Sequence, residues 1–408
     1  MLESSARFGG LWFVRAMAVA FIAQFISSAI RPLITYESLA AGAGPAQVGV
    51  ITAAFSVLAL VAAIPLGKAM DRRGETGFLL AGSILTGATL LSLLLPRGLI
   101  LLAVVSSVLG LGHLLLVVAT QTLIARGEQS SRRDARFATL TTVNAVAQII
   151  APATTGFLVG DLAVSHNGAS HVPNSHIVVT IAASMALAAT FSAVSLRLRP
   201  GALADRAPNP PPPRRGGFRA VMRLPAVPPA MFASLIVLTA IDLLLAYLPV
   251  FGQQHGLSAR VIGLLLAVEG IAAMLVRIAM LPMIARFTRR RLLIASMLVG
   301  AASIAGVPVA GLLEHPEPAL FCLMAVAGLG LGIGQPLTMA WVAAQTPVSL
   351  RGTAVSMRLS GNRLGQILVP LSAGGLAGGL GLAAAFWLPA ALLAVSASLV
   401  LRVPKDQT

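Results

Sequence analysis

The stretch from residue 46 to residue 74 reads AQVGVITAAFSVLALVAAIPLGKAMDRRG, and its pattern decides the fold. The apolar run over 46–67 has the length of about 20 residues that a helix needs to cross the hydrocarbon core of a bilayer. It ends in a short polar joint that carries Lys68, Arg72 and Arg73. The stretch therefore predicts a membrane-spanning helix that is followed by a basic loop.

The same alternation continues along the whole chain. We predict twelve apolar segments, at 11–35, 46–67, 77–95, 98–124, 137–160, 174–196, 229–252, 260–285, 291–312, 318–344, 353–376 and 382–401. Hydrophobic residues make up 57% of the chain and charged residues only 10%, which is outside the range of soluble domains. Continuous apolar runs without a period of two favour helices over a membrane β-barrel. The predicted fold class is an all-α polytopic membrane protein with twelve transmembrane helices.

Basic residues fall in every second joint. The joints 36–46, 161–173 and 313–317 contain no Lys or Arg, whereas the fourth and eighth joints contain Arg126, Arg132, Arg133 and Arg136, and Arg286, Arg289, Arg290 and Arg291. Since loops rich in Lys and Arg stay in the cytoplasm, we expect the basic side and both termini to be cytoplasmic. This orientation and anionic lipid headgroups explain the net charge of +16. We therefore expect a lipid bilayer, and not nucleic acid, as the partner of the basic surface.

The two halves of the chain resemble each other. Matching residues lie 218 positions apart: Gly110 and Gly328, Asn144 and Asn362, Gln148 and Gln366, Pro152 and Pro370, Gly156 and Gly374. A shared offset over two segments predicts two six-helix bundles in parallel repeat, residues 1–196 and 229–408. The linker 197–228 contains four consecutive prolines at 210–213, which cannot continue a helix. We expect it to be a cytoplasmic tether; a regulatory or lipid-binding role is the alternative.

Residues 67–74, Gly67-Lys68-Ala69-Met70-Asp71-Arg72-Arg73-Gly74, resemble the loop signature of the major facilitator superfamily. Twelve spans, cytoplasmic termini and a long middle loop extend the resemblance over the whole chain. The resemblance implies a transporter that works by alternating access. It also implies that Gly67, Asp71, Arg72 and Gly74 form a conformational latch, in which Asp71 meets the N-terminus of segment eleven in the outward-facing state. A solvated loop charge is the alternative for Asp71.

Residues 151–156, Ala151-Pro152-Ala153-Thr154-Thr155-Gly156, are similar to a Gly-Pro-rich stretch in the superfamily's drug and metabolite antiporters. Ala151 and Thr155 replace two glycines of that stretch. The resemblance implies export rather than uptake. Because small residues also let helices approach closely, ordinary tight packing is the alternative.

Two acids lie within predicted spans, Asp242 in segment seven and Glu269 in segment eight. A charge within the membrane costs several kcal/mol, so such a group needs a partner or a watery cavity. A carboxyl group that loses its hydration binds a proton more readily, which a proton carrier requires. We therefore expect Asp242 and Glu269 to be proton-coupling residues. A permanent ion pair with Arg277 or another Arg is the alternative.

Polar side chains in segments five and eleven predict a substrate site. Arg358, Asn362 and Gln366 share one helical face, and Asn144 and Gln148 are the counterparts of the last two in the first half. We expect both stripes to border one central cavity. Arg358 could instead extend its guanidinium group to the nearby cytoplasm.

Single polar residues in other positions complete the candidate substrate site. Arg363 lies near mid-membrane and suits a carboxylate or phosphate of the substrate; an ion pair with Asp242 or Glu269 is the alternative. Gln24 and Arg31 are polar residues of segment one. Arg31 could attract an anion, but we expect it to pair with Glu37. We also expect Pro32 to kink or end this segment.

Taken together, the pattern favours a secondary active transporter, most simply a proton-coupled efflux carrier for a small organic compound such as a drug or metabolite. Proton-coupled uptake of a small organic anion and a receptor that resembles a transporter are the alternatives. Because no phosphate-binding Gly loop or catalytic triad is evident, we expect neither an enzyme nor a cofactor. His166, His171 and His176 are five apart, a poor spacing for a shared metal.

The predicted setting is a bacterial cytoplasmic (inner) membrane. Arg strongly outnumbers Lys, since Lys68 and Lys405 are the only lysines, and this composition is common in high-GC bacteria. The first apolar segment lacks a small-residue cleavage pattern, so we expect it to be a retained span. We expect the protein to be a monomer.

Overall fold

The computed structural model describes residues 2–95, 98–126, 130–160, 172, 174–197, 217–347 and 350–403. Arg97, the part of the joint 161–173 that includes His166 and His171, and residues 198–216 of the linker lie outside these ranges. The regular elements of the described residues are all α-helices. The predicted all-α class is therefore confirmed for this part of the chain.

Fifteen helices follow one another in the described residues. They are α1 (Leu2–Ala40), α2 (Pro45–Arg73), α3 (Thr76–Ser92), α4 (Leu99–Arg126), α5 (Ser130–Val159), α6 (Ser175–Arg197), α7 (Gly217–Met222), α8 (Val227–Gln254), α9 (Ala259–Ile278), α10 (Met280–Arg286), α11 (Arg289–Ala310), α12 (Glu317–Leu331), α13 (Gly334–Gln345), α14 (Arg351–Leu380) and α15 (Ala383–Leu401). We call the end of the bundle where α2 meets α3 the basic end, and the end where α1 meets α2 the opposite end.

Ten helical segments of the described chain are long and apolar enough to cross a membrane, with α12 and α13 counted as one. The protein is therefore a multi-pass membrane protein. Two predicted spans are not among the ten. Helix α3 is apolar but has only 17 residues, and α14 contains Arg351, Arg358 and Arg363 within an otherwise apolar helix.

Prolines interrupt two of the predicted segments, which we expected to be continuous. Segment eight divides into α9 and α10, and segment ten divides into α12 and α13. Pro282 and Pro336 have no N–H group to donate to the carbonyl four residues earlier. At the second break the Gly332 carbonyl accepts a hydrogen bond from Arg277 Nε at 2.8 Å instead. Pro32 does not end α1, which continues to Ala40.

Buried apolar residues form two large clusters. One extends from Trp12 to Leu196 and includes Ala259. The other extends from Val221 to Val403 and includes Ala43 and Val48. Many helix contacts lie within α1–α6 and within α8–α15, but α2 packs most extensively against α14, and α5 against α9, across the two halves. The exact boundaries at 196 and 229 remain a prediction.

Glycines allow close helix contacts at equivalent places of the two halves. A Cβ atom at Gly110 of α4 would collide with the Phe55 carbonyl oxygen of α2. A Cβ atom at Gly328 of α12 would likewise collide with the Glu269 carbonyl oxygen of α9. Small residues at such crossings let backbones approach, which is the main source of packing energy between helices in lipid. The sequence repeat therefore coincides with a repeat in packing.

We predict that Gly110→Ala lowers the melting temperature of the purified protein in detergent. Alanine favours a helix by up to about 1 kcal/mol relative to glycine, but the collision with Phe55 must separate α2 from α4, at a cost of about 1–3 kcal/mol. Gly87→Ala is the matched control, because its new methyl group would lie 3.6 Å from the Ala186 Cβ atom, an ordinary contact. Equal melting temperatures of the two variants would contradict the assignment.

Candidate functional site

An ion pair between Arg31 of α1 and Asp242 of α8 lies at the centre of the candidate site. Arg31 Nη1 donates to Asp242 Oδ1 at 2.6 Å, and the two side chains are 15% and 10% exposed. We expected Arg31 to pair with Glu37, and this expectation was wrong. Residues six apart on a helix point in directions about 120° apart, so Arg31 and Glu37 do not share a face. The pair joins the two halves of the chain.

Gln366 of α14 connects this pair to a second guanidinium group. Its Nε2 atom donates to Asp242 Oδ2 at 2.5 Å, and its Oε1 atom accepts from Arg363 Nη1 at 3.1 Å. Ser56 of α2 donates to the same Oε1 atom at 3.3 Å. Each oxygen of Asp242 thus accepts a hydrogen bond from a different helix. This arrangement fits an ionised carboxylate, which only accepts.

Arg363 interacts electrostatically with Asp242 and with Arg31. Among the described residues, its single hydrogen bond is the one to Gln366. Arg363 is half-buried, and its other nitrogen atoms have no hydrogen-bond partner among the described residues. Part of its planar fork of N–H donors is therefore available to a ligand.

Arg358 is placed differently. Its Nη2 atom donates to Gln335 Oε1 at 2.7 Å and to the Gln335 carbonyl at 3.1 Å, so it holds α14 against α13. Asn362, one turn further along α14, accepts from Ser234 of α8 at 3.1 Å. The predicted face of Arg358, Asn362 and Gln366 is buried, and its contacts are with neighbouring helices. The guanidinium of Arg358 is therefore held inside the bundle against α13 and does not extend to its surface.

The rings of Phe55 and His113 form a wall beside the ion pair. The guanidinium carbon of Arg31 is 5.0 Å from the centre of the Phe55 ring, and the ring of His113 on α4 is 6.0 Å from the same ring. His113 interacts electrostatically with Arg31, Arg363 and Asp242. A small pocket adjoins this wall. It is lined by Arg31, Ile34, Thr35, Ile51, Thr52, Phe55, Ser106 and Ala246.

Four other candidate residues lie outside this hydrogen-bonded network. Glu269 is buried on α9 and interacts electrostatically with Arg277. Gln24 donates to Ser28 of its own helix at 3.2 Å. Asn144 is half-buried and Gln148 is exposed. The described residues therefore do not place the α5 stripe in the same network as the α14 stripe.

The opposite end of the bundle is closely packed between the halves. A Cβ atom at Gly49 of α2 would lie 2.6 Å from the Pro370 carbonyl oxygen and 2.9 Å from Gly374 Cα. At Gly263 of α9 it would lie 2.6 Å from the Pro152 carbonyl oxygen and 3.1 Å from Gly156 Cα. The two Pro–Gly pairs are repeat equivalents. Tyr247 of α8 adds a hydrogen bond from its hydroxyl group to the Pro45 carbonyl at 3.1 Å.

The basic end contains the predicted latch. Gly74 ends α2 with a φ of 83°, and its N–H group donates to the Met70 carbonyl at 2.9 Å. Arg72 is exposed, and the side chain of Asp71 lies outside the described part of the structure. A Cβ atom at Gly67 of α2 or at Gly352 of α14 would have no neighbour within 4 Å.

Four residues of the site were missing from the sequence-based prediction: Ser56, Ser234, Gln335 and Phe55. Gln335 could have been found, because it is an amide in the middle of an apolar segment and next to a proline. Serine is common in membrane helices, where its hydroxyl can bond to its own backbone. The sequence therefore contains no signal that distinguishes Ser56 or Ser234 from other serines.

Comparison with known proteins identifies the class of this fold. A family model for the Major Facilitator Superfamily matches residues 16–315 and 230–408. No curated protein sequence matches the chain. Among solved structures, a nucleoside transporter, NupG, is similar with a TM-score of 0.78, 14% identity and coverage of 97% of this chain and 100% of that chain.

Two further structures have the same fold. A D-xylose-proton symporter has a TM-score of 0.73 and 14% identity, with 98% of each chain covered. A POT family transporter in complex with 5-aminolevulinic acid has a TM-score of 0.77 and 15% identity, with 98% of this chain and 97% of that chain covered. The fold is that of membrane transporters rather than of enzymes. The chain belongs to the Major Facilitator Superfamily.

We predict that removing one partner of the central ion pair destabilises the protein more than removing both. Arg31→Gln leaves Asp242 without its cation, and Asp242→Asn leaves Arg31 without its anion. The double variant removes both charges, so it should regain an interaction free energy of about 1–3 kcal/mol. Thermal unfolding of the four proteins in one detergent measures this cycle. Additive effects of the two single changes would contradict a direct interaction.

Proposed function

We propose that this protein is a proton-coupled secondary active transporter of a small organic compound and that it works by alternating access. The observation that carries the proposal is the link from Arg31 through Asp242 to Gln366, because it joins α1 of the first half to α8 and α14 of the second. A titratable group in such a link can couple protonation to the separation of the halves.

Protonation of Asp242 would change both of its contacts. The neutral acid carries an O–H donor in place of one acceptor and loses the charge that attracts Arg31. The two donors now bound to its oxygens, from Arg31 and Gln366, cannot both keep their hydrogen bonds in the same geometry. The link between α1 and α8 is then weaker, and the halves separate more easily. Glu269 is the second candidate for a proton carrier, within the second half.

The proposed topology has twelve spans, with α3 and α14 added to the ten apolar segments. The basic end faces the cytoplasm, as do both termini. Two six-helix bundles, 1–196 and 229–408, are joined by the linker 197–228. We place the protein in a bacterial cytoplasmic membrane as a monomer.

This topology assigns the two ends of the bundle to the two sides of the membrane. The opposite end, where Gly49 meets Gly374 and Gly156 meets Gly263, is then the closed outer gate. The basic end is then the cytoplasmic side. In this proposal the latch of Gly67, Asp71, Arg72 and Gly74 engages when the carrier opens outward.

The direction of transport is the finer part of the proposal. The stretch 151–156 favours efflux of a drug or metabolite. However, Pro152 and Gly156 of this stretch make the same kind of helix contact as their repeat equivalents Pro370 and Gly374. Tight packing therefore accounts for the stretch without a role in efflux, and the argument for efflux is weaker. Uptake of a small organic anion is the alternative. The guanidinium group of Arg363 favours it, because part of its N–H donors have no hydrogen-bond partner among the described residues.

We predict proton movement that depends on substrate and on Asp242. The protein is reconstituted in proteoliposomes with a pH-sensitive dye inside, and a proton gradient is imposed. Panels of organic anions and lipophilic cations are then added. We expect Asp242→Asn to lower the substrate-triggered proton flux at least about tenfold, as removal of a proton-transfer group does.

Glu269→Gln tests the second carboxyl group, and Glu314→Gln is the matched control because Glu314 is exposed at the opposite end. The sign of the proton flux separates antiport from symport. Proton flux that Asp242→Asn leaves unchanged would refute the role of Asp242. Ligand-induced thermal stabilisation without transport of any compound would indicate a receptor.

A further inference from the structure

The central site contains more positive than negative charge. Arg31 and Arg363 face a single carboxylate, Asp242, and the three groups interact electrostatically. His113 on α4 is the other titratable group that faces them, and it adds either no charge or a further positive one. Among the described residues, at least one positive charge of this site therefore has no carboxylate partner, so the site attracts an anion.

The donors that would hold an anion are in place. Gln366 uses one N–H of its Nε2 atom for Asp242, and its Oε1 atom accepts from Arg363 and Ser56, so the second N–H of its amide remains as a donor. Arg363 keeps N–H donors that have no hydrogen-bond partner among the described residues. Paired N–H groups of a guanidinium match the two oxygens of a carboxylate or sulfonate.

The surroundings of Arg31 offer apolar as well as polar contacts. The small pocket beside Arg31 is lined by the apolar side chains of Ile34, Ile51 and Phe55 and by the hydroxyl side chains of Thr35, Thr52 and Ser106. The Thr35 hydroxyl in the same pocket donates to the carbonyl of Arg31. One cationic group next to an apolar wall favours a ligand with one anionic group and a hydrocarbon part.

We propose that the central site binds an organic monoanion, whose anionic group pairs with Arg363 and replaces Asp242 as the partner of Arg31. The inference rests on the proposed function, because it assumes that this site is the substrate site. When Asp242 is protonated, Arg31 is released and both guanidinium groups face the anion. Anion and proton therefore bind together, so the coupling is co-transport, and an inward proton gradient drives uptake.

The test measures binding to the purified full-length protein in detergent. The probes are three compounds of similar shape: benzenesulfonate, benzenesulfonamide and phenyltrimethylammonium, which are anionic, neutral and cationic. Propionate, hexanoate and naphthalenesulfonate extend the anion series in size. We expect at least one anion to bind and to raise the melting temperature, and we expect the neutral and cationic probes to have no such effect.

Variants assign the binding to named residues. Arg363→Gln should weaken anion binding by about tenfold or more, as loss of a charged hydrogen bond does. Arg363→Lys, which keeps the charge but not the fork, should give an intermediate affinity. Arg219→Gln is the control. It makes the same substitution at an exposed residue of α7 and should not change the affinity for the anion.

The pH dependence provides the readout for Asp242. In the wild type, the affinity for the anion should rise about tenfold as the pH falls and Asp242 takes up a proton. Protonation of His113 would act in the same direction, so Asp242→Asn separates the two. This variant should bind the anion tightly at high pH, and its affinity should change little with pH.

Two outcomes would overturn the inference: no anion of the series binds, or anions bind equally well to the wild type and to Arg363→Gln. Failure of the proposed function has a different result. Anion binding without transport in proteoliposomes would refute the transporter and leave the anion site. Transport of a neutral or cationic compound without anion binding would support the transporter and refute the anion site.

Discussion

The contact between Arg31 and Asp242 is the constraint on which the rest of the site depends. An ion pair at membrane depth is stable only if both charges keep their partners, since either charge alone costs several kcal/mol. The carboxylate belongs to α8 and its two donors to α1 and α14, so these three helices must approach closely. At the opposite end, packing joins the same two halves, where Gly49 of α2 meets Gly374 of α14 beside the Tyr247 hydroxyl of α8. Packing and electrostatics thus connect the halves at two different places.

Packing follows the internal repeat of the chain, whereas charge does not. Pro152 with Gly156 and Pro370 with Gly374 make equivalent contacts, so the halves use one mode of helix packing twice. The charged residues have no such counterparts at the offset of 218: Arg31 aligns with Pro249, Asp242 with Gln24, and Arg363 with Ala145. A repeat that preserves shape but not charge yields two similar bundles around an asymmetric site. In the proposed mechanism, this asymmetry allows protonation of one carboxylate, Asp242, to change the contact between the two halves.

Local features of the fold could be predicted from sequence, and long-range partners could not. Apolar runs predicted the helices, and the i, i+4, i+8 spacing predicted that Arg358, Asn362 and Gln366 share a buried face. The helix breaks at Pro282 and Pro336 could also have been predicted from the prolines. They were missed because both segments remain hydrophobic on either side of the proline. The partner of Arg31 lies 211 residues away. The spacing of six residues on α1 argues against Glu37, but no local rule selects Asp242, because that choice depends on how α1 crosses α8. The spacing of Asn144 and Gln148 gave no indication that these two residues lie outside the hydrogen-bonded network around Asp242.

The charge of the substrate and the sign of its coupling to protons are linked in a site of this kind. In the proposed mechanism, an anion binds better when Asp242 is neutral, and by thermodynamic reciprocity its binding favours protonation of Asp242. Anion and proton then travel together. A cation would instead need the ionised carboxylate and would compete with the proton, which is the requirement for exchange and hence for efflux. Two guanidinium groups beside one carboxylate disfavour a cation at every protonation state. The direction of transport therefore follows from the charge that the site accepts, without a separate structural signal for it.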